Sequence, residues 1–267
     1  MRHQTTALES KAMLFESRLL ARSIPLRRLG AGHQADGGSS GCLVDFRGRR
    51  VLLTVAHSVR NGGNWAIEVG YVPGMGTKLF QIGALNFVVQ FRVGGSHGTT
   101  LDLAYAPVPR HVRPLVQDLD PRTGLVRHER PRIIIRSKLD QIPRPGAEYG
   151  FAGYVKLRKN PVELMGELKV ETGLRFERSL KTKDRYRLSH PHPGHSDYYG
   201  CSGAPVLDRA SHLVGLVVGG HQGSDAIYAI PLAKYRSAIA LGLGIARQAP
   251  EACRPFVRRS PSSRRIV

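Results

Sequence analysis

Tyr199-Gly200-Cys201-Ser202-Gly203-Ala204-Pro205-Val206 is the stretch from which the rest of the chain is interpreted. A serine hydroxyl is a weak nucleophile at neutral pH, so Ser202 needs a nearby base and donors for the oxyanion that its attack would form. Gly200 and Gly203 carry no Cβ, and a tight turn through them can point the backbone amides of Gly200 and Ser202 at one spot. On its own the pattern is typical of an ordinary turn, so its interpretation depends on residues elsewhere.

Two upstream stretches supply partners for Ser202. Residues 51–57 read Val-Leu-Leu-Thr-Val-Ala-His. This apolar run predicts a buried strand, with His57 at the point where the strand ends. Residues 100–108 form a second apolar run with one carboxylate, Asp102. A buried aspartate is costly without a partner, and the N–H of an imidazole is a partner that also fixes the histidine tautomer. Each residue alone has an ordinary structural explanation, but together they predict a catalytic triad.

These blocks resemble the signature blocks of the trypsin-like (chymotrypsin-fold) serine peptidases, in that family's chain order, over roughly residues 37–231. The resemblance implies an all-β fold of two antiparallel β-barrels that needs no cofactor. It also implies the roles: His57 as general base and then acid, Asp102 as the group that orients its ring, and Ser202 as nucleophile. The amides of Gly200 and Ser202 would form the oxyanion hole.

A fourth block, residues 213–220 followed by 226–231, resembles the strand pair that lines the family's primary specificity pocket. The resemblance assigns these residues to substrate binding: Ser196 at the pocket base, and Val217, Gly219, Gly220 and Ala226 along its walls. No unambiguous charge lies at that base. His190, His192, His195 and His221 cluster in sequence near this loop, and in some members of the family a pocket histidine recognises an acidic side chain. The first three lack the regular spacing of metal ligands, so we expect no metal site.

We expect a helix at each end of the two barrels. The predicted order is a helical extension over 1–25, a first barrel over 26–125 with His57 and Asp102, a second barrel over 126–235 with Ser202, and a C-terminal helix and basic tail over 236–267. Apolar residues recur at helical spacing within residues 5–24, and helical character also extends over 232–247. The tail, 250–267, combines Pro, Ser and Arg with few apolar residues, which predicts disorder.

The chain is strongly basic, with 40 Lys and Arg against 20 Asp and Glu and a formal charge of +20. Such a surface attracts polyanions or acidic partners without determining the fold. A non-catalytic binding or scaffold module on the same fold, binding polyanions, is therefore the alternative function, and the intact triad is the feature against it. As partners we expect a protein or peptide substrate and a regulatory protein at the N-terminal helix, with nucleic acid less favoured.

Cysteine content favours a reducing compartment. Cys42, Cys201 and Cys253 cannot all pair, and the secreted relatives' bond from the place of Cys42 would end at Ser58 here. Acidic side chains interrupt the first apolar stretch, so it does not read as a signal peptide, and no run reaches the length of a transmembrane helix. We therefore expect a cytoplasmic protein without membrane contact, and a bacterial origin would fit.

Cys201 departs from the family pattern. In zymogen-activated members the residue before the nucleophile is an acid that pairs with a freed N-terminal amine, and a neutral thiol cannot form that ion pair. We therefore expect activity without N-terminal processing. Cys201 as the nucleophile fits less well, because it places Tyr199 where the motif needs glycine. A GxSxG hydrolase elbow is disfavoured because Ala204 replaces its last glycine and His57 precedes the serine.

Overall fold

The computed structural model describes residues 2–30, 35–60, 62–72, 76–91, 98–119, 126–159, 164–192, 194 and 198–245. Within these ranges the helices are α1 (Arg2–Arg22), α2 (Ala56–Val59) and α3 (Leu232–Gly242). The strands are β1 (Ile24–Leu29), β2 (Ala35–Phe46), β3 (Arg49–Thr54), β4 (Asn64–Val72), β5 (Gly76–Gln81), β6 (Asn86–Phe91), β7 (Gly98–Pro107), β8 (Leu115–Leu119), β9 (Val126–Pro131), β10 (Ile135–Arg136), β11 (Glu148–Lys159), β12 (Leu164–Ser179), β13 (Asp184–Arg187), β14 (Pro205–Asp208), β15 (Leu213–Gly220) and β16 (Ala226–Pro231).

The first sheet follows the order β5-β4-β1-β2-β3-β7-β6, and each pair in it is antiparallel. β10 adds to β2 in parallel. The β2–β3 hairpin turns through Arg47 and Gly48, whose φ angles of 47° and 80° are both positive. Two-residue hairpin turns of type I′ require that conformation, so a tight basic turn leads into the strand before His57.

Strand β3 is buried on both faces, which explains why its sequence is continuously apolar and does not alternate. Leu52 packs with Leu26 and Ile67 in a cluster built from the first sheet, α2 and adjoining loops. Val51 and Leu53 point the other way, into a cluster that the second barrel shares. The strand that leads to His57 is therefore held rigidly between two layers of core.

The second barrel is closed by the strands β11-β12-β13-β16-β15-β14, all in antiparallel pairs. Tyr149, Phe151 and Tyr186 are buried in its core. The rings of Tyr149 and Tyr186 meet edge to face with their centroids 5.4 Å apart, an arrangement that the ring quadrupole favours. The all-β, two-barrel architecture predicted from the sequence is confirmed.

A single hydrophobic cluster joins the two barrels. It contains residues of the first barrel (Val51, Leu53 and Leu103) and residues of the second (Leu207, Leu216 and Ile230). Interiors of this kind are close-packed, so they resist small displacements. The shared cluster therefore fixes how loops from the two barrels are placed relative to one another.

The N-terminal helix forms, with its ends shifted from the prediction. We expected a helix over 5–24, whereas α1 ends at Arg22 and Ile24 already opens β1. The buried side chains of Phe15 and Leu19 lie against Gly150 of β11, where a Cβ would come within 3.1 Å and 2.8 Å of them. The missing side chain at Gly150 lets the helix dock closely on the second barrel. Its role as a docking element for a regulatory protein stays a prediction.

Arg132 secures the end of α1. Its guanidinium is 4% exposed and donates to the carbonyl oxygens of Leu20 at 2.9 Å and Ser23 at 2.5 Å. The last carbonyls of a helix lack intrahelical partners and carry the negative end of the helix dipole, so a cation stabilises them. Arg132 thereby ties the helix to the segment between the barrels.

The C-terminal helix is shorter than the predicted span of 232–247, because α3 ends in a Schellman motif. The N–H of Ile245 donates to the carbonyl of Ala240 at 2.9 Å, and Gly244 has a φ of 65°. A glycine with positive φ after the last helical turn stops a helix in this way. The tail over 250–267 lies outside the described residues, and the domain boundaries stay predictions. No helix among the described residues is long and apolar enough to span a membrane.

Candidate active site

Three segments meet at the mouth between the barrels. His57 lies in α2, directly after β3, and Asp102 lies in β7, which pairs with β3 through Thr54 and Ala104. Ser202 lies in the loop before β14 of the second barrel. The structure therefore brings together the three residues predicted as a triad, although they are widely separated in the sequence.

The contacts among the three side chains form a continuous chain. Nδ1 of His57 lies 2.8 Å from Oδ2 of Asp102 and 3.0 Å from Oδ1, and the backbone N–H of His57 donates to the same Oδ1 at 2.8 Å. Nε2 of His57 lies 3.0 Å from Oγ of Ser202. A carboxylate on Nδ1 keeps the ring proton there, which leaves Nε2 as an acceptor for the serine proton.

Asp102 is ionised in this arrangement. Burial on its own would raise the pKa of Asp102, but the hydrogen bonds from the ring and the backbone of His57, with the charge of His57, outweigh it and lower the pKa below its ordinary value. The carboxylate therefore stays negative across the neutral range, where it stabilises the imidazolium that forms when His57 takes up a proton.

The loop before the nucleophile is a turn. The N–H of Cys201 donates to the carbonyl of Tyr198 at 2.9 Å, and Gly200, third of the four residues, has a φ of 101°. A positive φ at that place is characteristic of a type II turn and favours glycine. The glycine of the motif is thus needed for the backbone conformation before Ser202.

Two backbone N–H groups in this loop, unlike their neighbours, have no hydrogen-bond acceptor among the described residues. The N–H of Gly203 donates to the carbonyl of Val217 at 2.8 Å, and the N–H of Cys201 is used in the turn. Among the described residues, neither the N–H of Gly200 nor that of Ser202 donates to a protein acceptor. Two amides that have no acceptor among the described residues, at Ser202 and two residues before it, suit the stabilisation of an oxyanion, the role predicted for both.

Strand β2 of the first barrel holds the same loop from the other side. The hydroxyl of Ser40 donates to the carbonyl of Gly200 at 2.7 Å, and the hydroxyl of Ser39 donates to the carbonyl of Ser202 at 2.8 Å. Both serines are buried, at 0% and 1% exposure. This contact could not be predicted, because two serines in a Gly-Ser-rich stretch indicate a turn and nothing more.

Gly203 is where β2 and the nucleophile loop approach most closely. A Cβ on Gly203 would lie 2.1 Å from the carbonyl oxygen of Ser40 and 2.4 Å from Oγ1 of Thr54, and the residue has a φ of 89°. Both the close approach and the positive φ therefore demand glycine. This glycine fixes the distance between the two barrels at the reactive serine.

A cleft of about 420 Å³ opens in front of these residues. It is lined in part by His57, His192, Tyr198, Gly200, Ser202, Val218, Gly219 and Gly220. His57 and Ser202 thus face a space large enough for several side chains of a ligand. No acidic side chain is found among the described residues that line it.

The residues predicted for substrate binding are found in different places. Gly219 and Gly220 line the cleft. Val217 is 1% exposed, with its side chain in the core of the second barrel, and its neighbour Val218 faces the cleft instead. Ala226 is 2% exposed, and its carbonyl oxygen would lie 2.6 Å from a Cβ on Gly220. Ser196 lies outside the described residues.

His192 is one of the histidines that cluster near this loop in the sequence, and it lines the cleft. It is 4% exposed, its ring stacks on Tyr198 at 4.4 Å between centroids, and its Nδ1 accepts from the N–H of Gly194 at 3.2 Å. A Cβ on Gly220 would lie 2.4 Å from its Cδ2. The histidine-rich stretch was the only signal in the sequence, and it does not distinguish His192 from its neighbours.

His190 belongs to a polar cluster behind the cleft. Its Nε2 lies 3.0 Å from a carboxylate oxygen of Glu171, and the other oxygen accepts from the hydroxyl of Tyr198 at 2.7 Å. The carbonyl of Pro191 and the Glu171 carboxylate raise the pKa of His190. Among the described residues no three His, Cys, Asp or Glu side chains are placed to hold a metal ion, and His195 lies outside them.

Cys42 and Cys201 are both free thiols and both buried. Burial raises the pKa of the Cys201 thiol far above its ordinary value, so this group is neutral. A neutral, buried thiol is a poor nucleophile. These properties favour Ser202, whose hydroxyl contacts His57, as the reacting group.

Among the comparisons with known proteins, only the comparison with solved structures finds similar proteins. No family model and no curated protein matches the sequence. Among solved structures, the chain is similar to the active form of a protease from M. tuberculosis (14% identity, TM-score 0.50, covering 88% of this chain and 86% of that one). It is also similar to human heparin binding protein (12% identity, TM-score 0.52, covering 87% and 96%).

A third similar structure is the serine endoprotease from Yersinia pestis, with 12% identity and a TM-score of 0.49 over 86% of this chain. The chain spans 65% of the length of that protein. Identities at this level establish the fold alone. The chain therefore has the chymotrypsin-like, two-barrel fold of the trypsin-like serine proteases.

Proposed function

We propose that the protein is a serine endopeptidase that hydrolyses peptide bonds through His57, Asp102 and Ser202. One observation carries the proposal: the unbroken contact chain from the Asp102 carboxylate through both ring nitrogens of His57 to the Ser202 hydroxyl, at 2.8 Å and 3.0 Å. Fold alone does not confer activity, so the activity would depend on these three side chains and the cleft in front of them.

In the proposed reaction, Oγ of Ser202 attacks the carbonyl carbon of the peptide bond while Nε2 of His57 takes the serine proton. The amides of Gly200 and Ser202 hold the oxyanion of the tetrahedral intermediate. His57 then gives its proton to the leaving amine, the C–N bond breaks, and an acyl-enzyme remains on Ser202. A water molecule, activated by His57 in the same way, releases the acid product and restores the serine.

The expected substrate is a protein or peptide, and the cleft that would receive it is lined by Val218, Gly219 and Gly220 of β15. The reaction uses no cofactor, since nucleophile, base and oxyanion donors all come from the chain. Two free thiols among the described residues fit a reducing compartment, so the proposal includes a cytoplasmic and bacterial setting.

The alternative is a non-catalytic module on the same fold that binds polyanions. The formal charge of +20 favours it, as does the similarity to a heparin binding protein. Salt-dependent retention on a heparin column and peptidase activity are measured on the same protein. Retention without peptidase activity favours the polyanion-binding module, because such a module binds without reacting at Ser202.

The test is covalent labelling by a fluorophosphonate probe, with the modified residue located by mass spectrometry. Labelling should occur on Ser202, because a fluorophosphonate reacts with a serine hydroxyl only where a base and an oxyanion hole activate it. Cys201→Ala is the matched control, and it should be labelled at the native rate. An unlabelled native chain, under conditions where a known serine peptidase reacts, contradicts the proposal, and so does an adduct on Cys201.

A further inference from the structure

We infer that Ser40, in the first barrel, is a positioning residue that holds the oxyanion hole of the second barrel in its working geometry while the chain is uncut. The inference rests on the proposed function. It concerns a side chain that does not touch substrate and acts through the backbone of Gly200.

The hydroxyl of Ser40 is fully buried, and both of its hydrogen-bond partners belong to the second barrel. It donates to the carbonyl of Gly200 at 2.7 Å and accepts from the N–H of Tyr154 at 3.0 Å. The peptide between Gly200 and Cys201 is therefore held at both ends, since the N–H of Cys201 donates to Tyr198. A hydroxyl that donates and accepts in this way has one orientation, which gives the contact its geometric precision.

The peptide after Ser202 is also held at both ends. Its carbonyl accepts from the N–H of Ser40 at 3.1 Å and from the hydroxyl of Ser39 at 2.8 Å, and the N–H of Gly203 donates to Val217. The held peptides lie on either side of the peptide that carries the Ser202 amide. Ser40 thus supplies, through its hydroxyl and its N–H, the frame that places the two predicted oxyanion donors, and the bond from Ser39 duplicates one of these contacts.

Cys201 makes such a frame necessary. Because its thiol is 1% exposed and neutral, it cannot anchor the loop by an ion pair. The chain on the N-terminal side is also already engaged: the N–H of Ser23 donates to the carbonyl of Leu19 at 3.2 Å, and Ile24 pairs with Gly41. Hydrogen bonds from β2 hold the loop in a chain that has not been cleaved.

Removal of the Ser40 hydroxyl should therefore affect the reaction more than the fold. In Ser40→Ala the Gly200 carbonyl and the Tyr154 N–H lose a buried partner, and the loop must shift to regain one. Displacement of reacting groups by about 1 Å costs roughly 100-fold in rate. We expect the rate constant for fluorophosphonate labelling of Ser202 to fall by about 10- to 100-fold.

Ser39→Ala is the matched control. It also removes a buried hydroxyl from β2, but the Ser202 carbonyl keeps its bond from the N–H of Ser40, so labelling should stay within about threefold of the native rate. Ser40→Cys roughly keeps the size of the side chain and weakens the hydrogen-bond donor. Its labelling rate constant should therefore fall, as in Ser40→Ala. It serves where the alanine variant does not fold.

The experiment measures the labelling rate constant, the final stoichiometry, the intact mass and the pH profile of labelling for each variant. A positioning role predicts full stoichiometry at a reduced rate with an unchanged pH profile, because the contacts of His57 are untouched. A merely structural role predicts reduced stoichiometry at the native rate, which overturns the inference. Equal losses in Ser39→Ala and Ser40→Ala, or no loss in Ser40→Ala and Ser40→Cys, also overturn it.

The native chain in the same experiment separates this inference from the proposed function. No labelling of the native chain would mean that the proposed function fails. A native chain that is labelled only after cleavage near α1 would overturn the inference alone, and the intact mass of the labelled protein reveals that case. Labelling of the uncut native chain, with a slow Ser40→Ala, is the expected result.

Discussion

Replacing Asp102 by asparagine should lower kcat by about 10⁴-fold, the size of effect expected when a triad histidine is held in the wrong tautomer. The carboxylate accepts two hydrogen bonds from His57, one from the ring and one from the backbone N–H, at 2.8 Å each. An amide has only one oxygen. If that oxygen keeps the backbone N–H, its NH₂ group faces Nδ1, the ring proton moves to Nε2, and His57 can no longer accept the proton of Ser202.

The chain offers a matched control for this substitution. Asp208 accepts from the ring of His212 at 2.9 Å and from its backbone N–H at 2.8 Å, the same pair of bonds on an exposed hairpin with no serine contact to the ring. Asp208→Asn should leave kcat unchanged. Steady-state kinetics on a peptide substrate and the thermal midpoint are measured for both variants. A native kcat in Asp102→Asn, with the fold intact, would refute the assigned role of Asp102.

Gly203→Ala should destabilise the fold by about 2–5 kcal/mol and abolish labelling of Ser202. A positive φ costs a residue with a Cβ about 1–2 kcal/mol, and overpacking adds about 1–3 kcal/mol. The new methyl would lie 2.1 Å from the carbonyl oxygen of Ser40, which already accepts from the hydroxyl of Thr54 at 2.8 Å. Neither group can move without disturbing the contact between β2 and the nucleophile loop. Urea unfolding and labelling are the measurements.

Gly48→Ala separates the energetic cost of a positive φ from the cost of overpacking. Gly48 also has a positive φ, 80°, but a Cβ there would meet nothing within 4 Å. This variant should lose only about 1–2 kcal/mol, and its Ser202 should be labelled normally. Equal destabilisation in the two variants would show that the close approach at Gly203 has no energetic importance, and normal labelling of Gly203→Ala would show that it does not matter for the site.

The motifs around Ser202, His57 and Asp102 were sufficient to predict the two barrels and a common site, because each combines a reactive side chain with the strand or turn that places it. The contacts of Ser39 and Ser40 could not be predicted, since they join β2 to a loop that lies far away in the chain. Nothing in a serine's local sequence indicates which distant carbonyl its hydroxyl will meet.

The substrate-binding residues show a related limit. The resemblance predicted strand β15 but not which of its side chains face the cleft. Because alternate residues of a strand face opposite sides, an error of one residue exchanges the two faces. Val217 thus lies in the core while Val218 lines the cleft. His192 enters the cleft through its packing on Tyr198 and Gly220, which only the folded loop reveals.

The division of the site between two barrels has a consequence for biosynthesis. His57, Asp102 and the serines of β2 are translated first, and Ser202 emerges only later in the order of the chain. A nascent chain or a fragment that ends before residue 202 carries a base without a nucleophile, and a fragment of the second barrel alone carries a nucleophile without a base. If the protein acts as proposed, its reactivity is therefore acquired last, after both halves have folded and docked.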